Sequence, residues 1–135
     1  MLQFYVLSIL ANALAGFILF TCSDDGDASE TGFRFSPENR TFRLVLGIVS
    51  ALTGVLKILS VISGDVPVIG DLIPALAGIA SGFALIFKYY RQGSSLPSER
   101  SEKIEALITV NQRWVGVVAM ASAALHFLFP TVLLL

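Results

Sequence analysis

MLQFYVLSILANALAGFILF, residues 1–20, contains no Asp, Glu, Lys or Arg. A helix rises 1.5 Å per residue, so a stretch of about 20 apolar residues matches the roughly 30 Å hydrocarbon core of a bilayer. A helix on the surface of a soluble bundle carries charged residues on its outward face, and this one has none to place there. Comparable runs follow at about 42–63, 68–90 and 114–135. Together the four occupy most of the 135 residues and leave no stretch for a separate soluble domain. The composition agrees: 55% of residues are hydrophobic and 14% charged, well to the apolar side of an ordinary globular domain. The expected fold class is all-α, a polytopic membrane protein forming one four-transmembrane-helix bundle over residues 1–135.

The first run ends in LFTC, which places Cys22 where a lipoprotein signal would have its modified cysteine. Such a signal needs a basic n-region and small residues before the cleavage site. The chain instead has Met-Leu-Gln at its start and Phe20-Thr21 before the cysteine, so a first membrane span is the preferred reading.

Charge excludes further classes. A net charge of -1 does not suit a nucleic-acid partner, and one cysteine allows neither an internal disulfide nor a multi-cysteine metal site. No Ser-His-Asp set, intramembrane carboxylate pair or glycine-rich phosphate loop occurs. One histidine per chain rules out a bis-histidine haem within it. No cofactor and no catalytic residue is expected.

Orientation follows from Lys and Arg, which set topology while acids count for little. Arg34, Arg40, Arg43, Lys88, Arg91, Arg100, Lys103 and Arg113 fall in or beside segments 21–41 and 91–113, against Lys57 alone elsewhere. Both segments are expected to be cytoplasmic, with the termini outside and the protein in the plasma (inner) membrane. The acidic run SDDGDASE, 23–30, lacks the EF-hand order and reads as a solvated loop. Asn39-Arg40-Thr41 matches the glycosylation triplet, but a cytoplasmic segment never meets the transferase.

Within these segments Ser36-Pro37-Glu38 predicts a helix start near Pro37, and Ser98 a cap for a helix beginning at Glu99, with Lys103 paired to Glu99 at i, i+4. Ile104, Leu107, Ile108 and Val115 share one face of that helix. It either lies in the cytoplasmic interface as an amphipathic helix before the fourth span or extends that span. Gly64, Pro67 and Gly70 predict a short hairpin between helices 2 and 3, and Pro130 predicts a kink in the last helix.

Helices in lipid approach through small residues. Gly78 and Gly82 form a GxxxG in the third span, and Gly47 with Ala51 and Ser50 with Gly54 give such faces in the second. Ala11 with Ala15, and Ala119 with Ala123, supply them in the first and fourth. Gly47, Gly54, Gly78 and Gly82 are the candidate packing positions. A face left over after bundle formation would serve an oligomer or a partner.

One charge sits deep in a span. Lys57, in ALTGVLKILSV (51–61), lies about 9 Å from the outer end of its helix, close enough to snorkel or to meet Asp65 or Asp71. The same arithmetic puts Asn12 and His126 within about 6 Å of its depth, with Tyr5 somewhat above. Asn12, Lys57 and His126 are therefore a candidate intramembrane polar site, able to pass protons or hold an anion; each is equally suited to interhelical hydrogen bonding.

The segment RLVLGIVSALTGVLK, 43–57, is similar to the first helix of the DoxX-like membrane family, in which an Arg, two Gly and a Lys recur at comparable spacing. The resemblance covers about fifteen residues of motif-level similarity, placed here in the second span and not the first. It implies a small four-helix subunit beside a redox or sulfur-metabolising partner. Small multidrug transporters are similar in size, but their pattern departs from this chain, whose first span has no acid.

The expected function is non-catalytic: a small multi-pass protein in the lipid bilayer, acting as a homo-oligomer or as an accessory subunit of another membrane protein, without nucleic acid. The alternative is a small transporter or channel using the Asn12, Lys57 and His126 cluster.

Overall fold

The computed structural model describes residues 2–21, 39–59, 72–93 and 98–129. These form four helices, α1 (Leu2–Thr21), α2 (Arg40–Leu59), α3 (Leu72–Gly93) and α4 (Glu99–Leu128), and no strand occurs among the described residues. The acidic run 23–30, the predicted cap at Ser36 and the hairpin glycines lie outside them.

α1, α2 and α3 are each long and apolar enough to cross a membrane. α4 departs from the expectation of four equivalent spans. It is one continuous helix of 30 residues, about 45 Å long, so no separate amphipathic helix precedes it and residues 99–113 belong to its first half. That half carries Glu99, Arg100, Glu102, Lys103, Glu105 and Arg113. Its apolar part is described over residues 114–128, and the rest of the span expected at 114–135 lies outside the described residues. The helix also stops before Pro130: Phe129 leaves helical geometry while its N–H still reaches the Leu125 carbonyl at 2.8 Å. A residue preceding proline is disfavoured in the α region, which accounts for the geometry of Phe129; Pro130 itself, where a kink was expected, lies outside the described residues.

Helix starts follow local chemistry. α2 begins at Arg40, later than Pro37, because Asn39 caps it: its Oδ1 accepts from the Thr41 N–H at 3.0 Å and its carbonyl from the Arg43 N–H at 3.0 Å. The asparagine of the glycosylation triplet is thus a helix cap. At α4 the expected boundary is found. The Ser98 N–H donates to Ser101 Oγ at 3.3 Å, Ser101 Oγ donates back to the Ser98 carbonyl at 2.7 Å, and Lys103 meets Glu99 at 3.1 Å.

The helices pack as two antiparallel pairs, α2 with α3 and α1 with α4, joined through α1 and α3. Gly54 lies against Ala75 and Ile79, and Gly47 against Gly82 and Leu85, which gives α2 and α3 opposite directions. α1 and α4 meet at Gly16 and Gly116. A Cβ at Gly16 would come within 2.6 Å of the Gly116 carbonyl, and one at Gly116 within 2.7 Å of the Gly16 carbonyl. Only glycine allows so close a backbone approach. α2 and α4 occupy opposite corners and do not approach each other along their backbones.

The antiparallel order gathers Arg40, Arg43, Lys88, Arg91, Arg100, Lys103 and Arg113 toward one end of the bundle, here the basic end, and Tyr5, Lys57, Pro74 and His126 toward the other. An apolar cluster of Ile18, Leu19, Leu46 and Leu85 fills the basic half, with Phe42, Ile108 and Val115 packed against it. The stripe predicted on α4 is therefore divided: Ile108 and Val115 turn inward, whereas Ile104 and Leu107 are exposed. Arg40 fastens the basic end, its guanidinium 4.4 Å from the Tyr89 ring centroid and Nη2 donating to the Tyr89 carbonyl at 3.1 Å.

Candidate functional site

The α1, α2 and α4 ends opposite the basic end converge on His126, which is 2% exposed. Lys57 Nζ lies 2.7 Å from His126 Nε2. The lysine's long side chain thereby connects the two helices whose backbones do not meet. The direction of the bond follows the protonation state: a charged ammonium donates to Nε2 and leaves the imidazole proton on Nδ1, whereas a neutral amine can accept from Nε2–H. Tyr5 closes the third side: its hydroxyl donates to the His126 carbonyl at 2.6 Å, and its ring stands 4.7 Å from the imidazole, tilted by 50°. Lys57 Nζ is 6.0 Å from the same tyrosine ring centroid, at the outer limit for a cation–π contact.

That carbonyl is near the end of α4, where the last carbonyls have no intrahelical donor. The Tyr5 hydroxyl fills this role from α1. Asp65 and Asp71, the other candidate partners for Lys57, lie outside the described residues.

Asn12 stands apart from this cluster. It is two helical turns along α1 from Tyr5, and its Nδ2 donates to the Pro74 carbonyl in the first turn of α3 at 2.9 Å. Its Oδ1 meets no donor among the described residues and sits 3.1 Å from where a Cβ of Gly78 would be. Around it are the buried side chains of Ser8, Ser50 and Thr53, and Ser50 Oγ donates to the Gly78 carbonyl at 3.1 Å. The space between them has no room for a water molecule. The arrangement is therefore a dry interhelical junction. Of the three residues predicted to share a site, the structure brings Lys57 and His126 together, adds Tyr5, and gives Asn12 a separate hydrogen bond. Asn12→Ala is expected to lower stability by about 1 kcal/mol without disturbing Lys57 or His126, which detergent unfolding of the variant would show.

All four candidate packing glycines are used inside the chain. Gly47 and Gly54 face α3, Gly82 faces Gly47 and Ala51, and Gly78 lies between Asn12 and the Ser50 carbonyl. Ala11, Ala15, Ala119 and Ala123 are buried as well. The close pair Gly16 and Gly116 was not among the predicted positions, because each is a single glycine with no GxxxG partner in its own helix.

Among the described residues no group of three or more His, Cys, Asp or Glu side chains is arranged to hold a metal ion. Chemically, the cluster offers one lysine, one imidazole and one phenol, a set that can share protons or attract negative charge.

Comparison with known proteins adds kinship without chemistry. No solved structure matches the chain. A protein of Treponema pallidum (strain Nichols), described as an uncharacterized protein, is 37% identical over 136 residues that cover 100% of each chain. A protein-family model matches residues 1–126, and the chain therefore belongs to the family which that model describes, with the Treponema protein as a relative along its whole length.

Proposed function

We propose that this protein is a non-catalytic, multi-pass protein of the plasma (inner) membrane that acts as an accessory subunit of a membrane complex or as a homo-oligomer. The observation supporting this reading is how the surface and interior are divided. Small and polar residues face inward at backbone-contact distances, while Leu, Ile, Val and Phe side chains on α1, α2 and α3 face outward. A lipid-facing surface has this character, and so does one that docks on other apolar helices. The basic end of the bundle supports a cytoplasmic placement of that end.

Native mass spectrometry of full-length protein, extracted from its own membrane in mild detergent, tests the proposal. A different membrane protein bound in fixed ratio, or a defined multiple of the chain mass, is the expected result. A monomer without partners at every detergent concentration tried would overturn it.

The Lys57–His126 contact favours one second reading, a transporter or channel for protons or small anions. Proteoliposomes would then show a flux that Lys57→Ala and His126→Ala each abolish while the chain stays folded. Unchanged flux in the double variant excludes this mechanism.

A further inference from the structure

The contact between Lys57 and His126 limits how many protons the two side chains can hold together. At 2.7 Å between Nζ and Nε2, one nitrogen donates and the other accepts. An ammonium facing a neutral imidazole satisfies this, and so does a neutral amine facing an imidazolium. An ammonium facing an imidazolium does not, because both nitrogens then present N–H groups and neither has a lone pair to offer. Other neighbours of either side chain do not change this, since the conflict lies between the two facing nitrogens. The pair therefore takes its last proton only by giving up the contact.

The place of the contact gives this a structural consequence. α2 packs on α3 and α4 on α1, and the contact spans a gap that the α2 and α4 backbones do not close. The nearby fastenings are independent of the imidazole charge: the Tyr5 hydroxyl donates to the His126 backbone carbonyl, and the Asn12 amide to the Pro74 carbonyl. Among the described residues, α1 brings one titratable group to the pair, Tyr5, and α3 carries none from Leu72 to Phe87. The next on α2 is Arg43 and on α4 Arg113, each more than about three turns away. Imidazole is the side chain that exchanges its proton between about pH 5 and 8. We infer that Lys57 and His126 form a proton-operated latch between α2 and α4. It is closed while one of the two nitrogens can accept and is released when both are charged, the Lys57 ammonium then turning toward the end of α2 at Leu59, about 3 Å along the axis and within reach of its side chain. The inference stands on the contact itself and needs neither of the functions proposed above; it gives either of them a dependence on acid.

The test uses full-length protein in mild detergent or lipid vesicles, with heavy nitrogen in its lysine and histidine side chains. One histidine per chain makes every imidazole signal that of His126, so nitrogen NMR reads both the charge of the ring and its nitrogen–nitrogen contact with Lys57. The contact is expected at about pH 8. As the pH is lowered toward about 5, its signal should fall at least fivefold in step with the change of the ring to imidazolium, and return when the pH is raised. Tyr5→Phe should show the same loss, because the phenol binds the backbone and not the ring nitrogens. Lys57→Met should give no contact at either pH, which sets the background. A contact that persists once the ring is charged would overturn the inference. So would a ring that stays neutral throughout, a contact absent at about pH 8, or a pH dependence that disappears in Tyr5→Phe.

Discussion

Gly116→Ala is expected to destabilise the bundle by about 1–3 kcal/mol, and Gly116→Leu to prevent it from forming. The reason is the identity of the atoms that a side chain would meet. A Cβ at Gly116 would lie 2.7 Å from the Gly16 carbonyl oxygen and 2.9 Å from the Phe20 nitrogen. Both are backbone atoms of α1 and neither can rotate away. The helices would have to separate along one of the two main pairings of the fold, losing the dispersion contacts between them. Gly93→Ala is the contrasting substitution. A Cβ there meets the guanidinium end of Arg40, an exposed side chain that can swing aside with loss of its hydrogen bond to the Tyr89 carbonyl, a smaller cost than parting two backbones. Unfolding in detergent, followed by circular dichroism, should rank the variants Gly93→Ala, Gly116→Ala, Gly116→Leu from most to least stable. A Gly116→Ala variant as stable as Gly93→Ala would show that α1 and α4 are not in backbone contact.

The second large effect is a coupling between Lys57 and His126. Lys57→Met and His126→Leu should each cost about 1–3 kcal/mol: the first strands the buried His126 imidazole, and the second removes the group that the part-buried Lys57 Nζ meets at 2.7 Å. The double variant should cost less than the sum, with a coupling energy of about 0.5–2 kcal/mol. His126→Leu also keeps the backbone carbonyl that Tyr5 uses, so the cycle isolates the side-chain contact. Additive effects would mean that the two side chains do not share a proton in the folded protein, and would remove the main support for a transport mechanism.

Much of the fold is legible from pattern. The uncharged run 1–20, the length of the two runs after it and the Ser98 boundary are local properties, set by hydropathy and capping within a few residues. The inward faces are legible as well, though by an inverted rule. Tyr5, Ser8, Asn12, Ala15 and Leu19 recur at helical spacing on α1, and Gln112, Gly116, Ala119, Ala123 and His126 on α4. In water such polar positions would face outward. Here they are buried except for the partly exposed Tyr5, the arrangement suited to a lipid-facing exterior, which accepts large apolar side chains and leaves small and hydrogen-bonding ones for helix contacts.

Position on a helix, in contrast, does not determine which residues meet across helices. Counting residues placed Asn12, Lys57 and His126 at similar depth, which is a statement about height along the bundle axis. Whether they touch depends on rotation of each helix and on which helices are neighbours. α1 turns Asn12 toward α3, where a first-turn carbonyl accepts its amide. Lys57 reaches His126 because its side chain is long enough to bridge helices whose backbones stay apart. The single glycines Gly16 and Gly116 similarly carry no motif in either helix alone and become a pair through the antiparallel register.

By itself the sequence determined the membrane-like class, the helical content, the basic end and the list of polar residues with a role to fill, since each follows from local composition read against the dimensions of a helix and a bilayer. Only the tertiary structure decided that α4 is one continuous helix, that the small-residue faces close within the chain, and that Tyr5, Lys57 and His126 form one cluster and Asn12 another. Those outcomes depend on helix rotation and pairing, which are fixed by contacts between residues far apart in the chain.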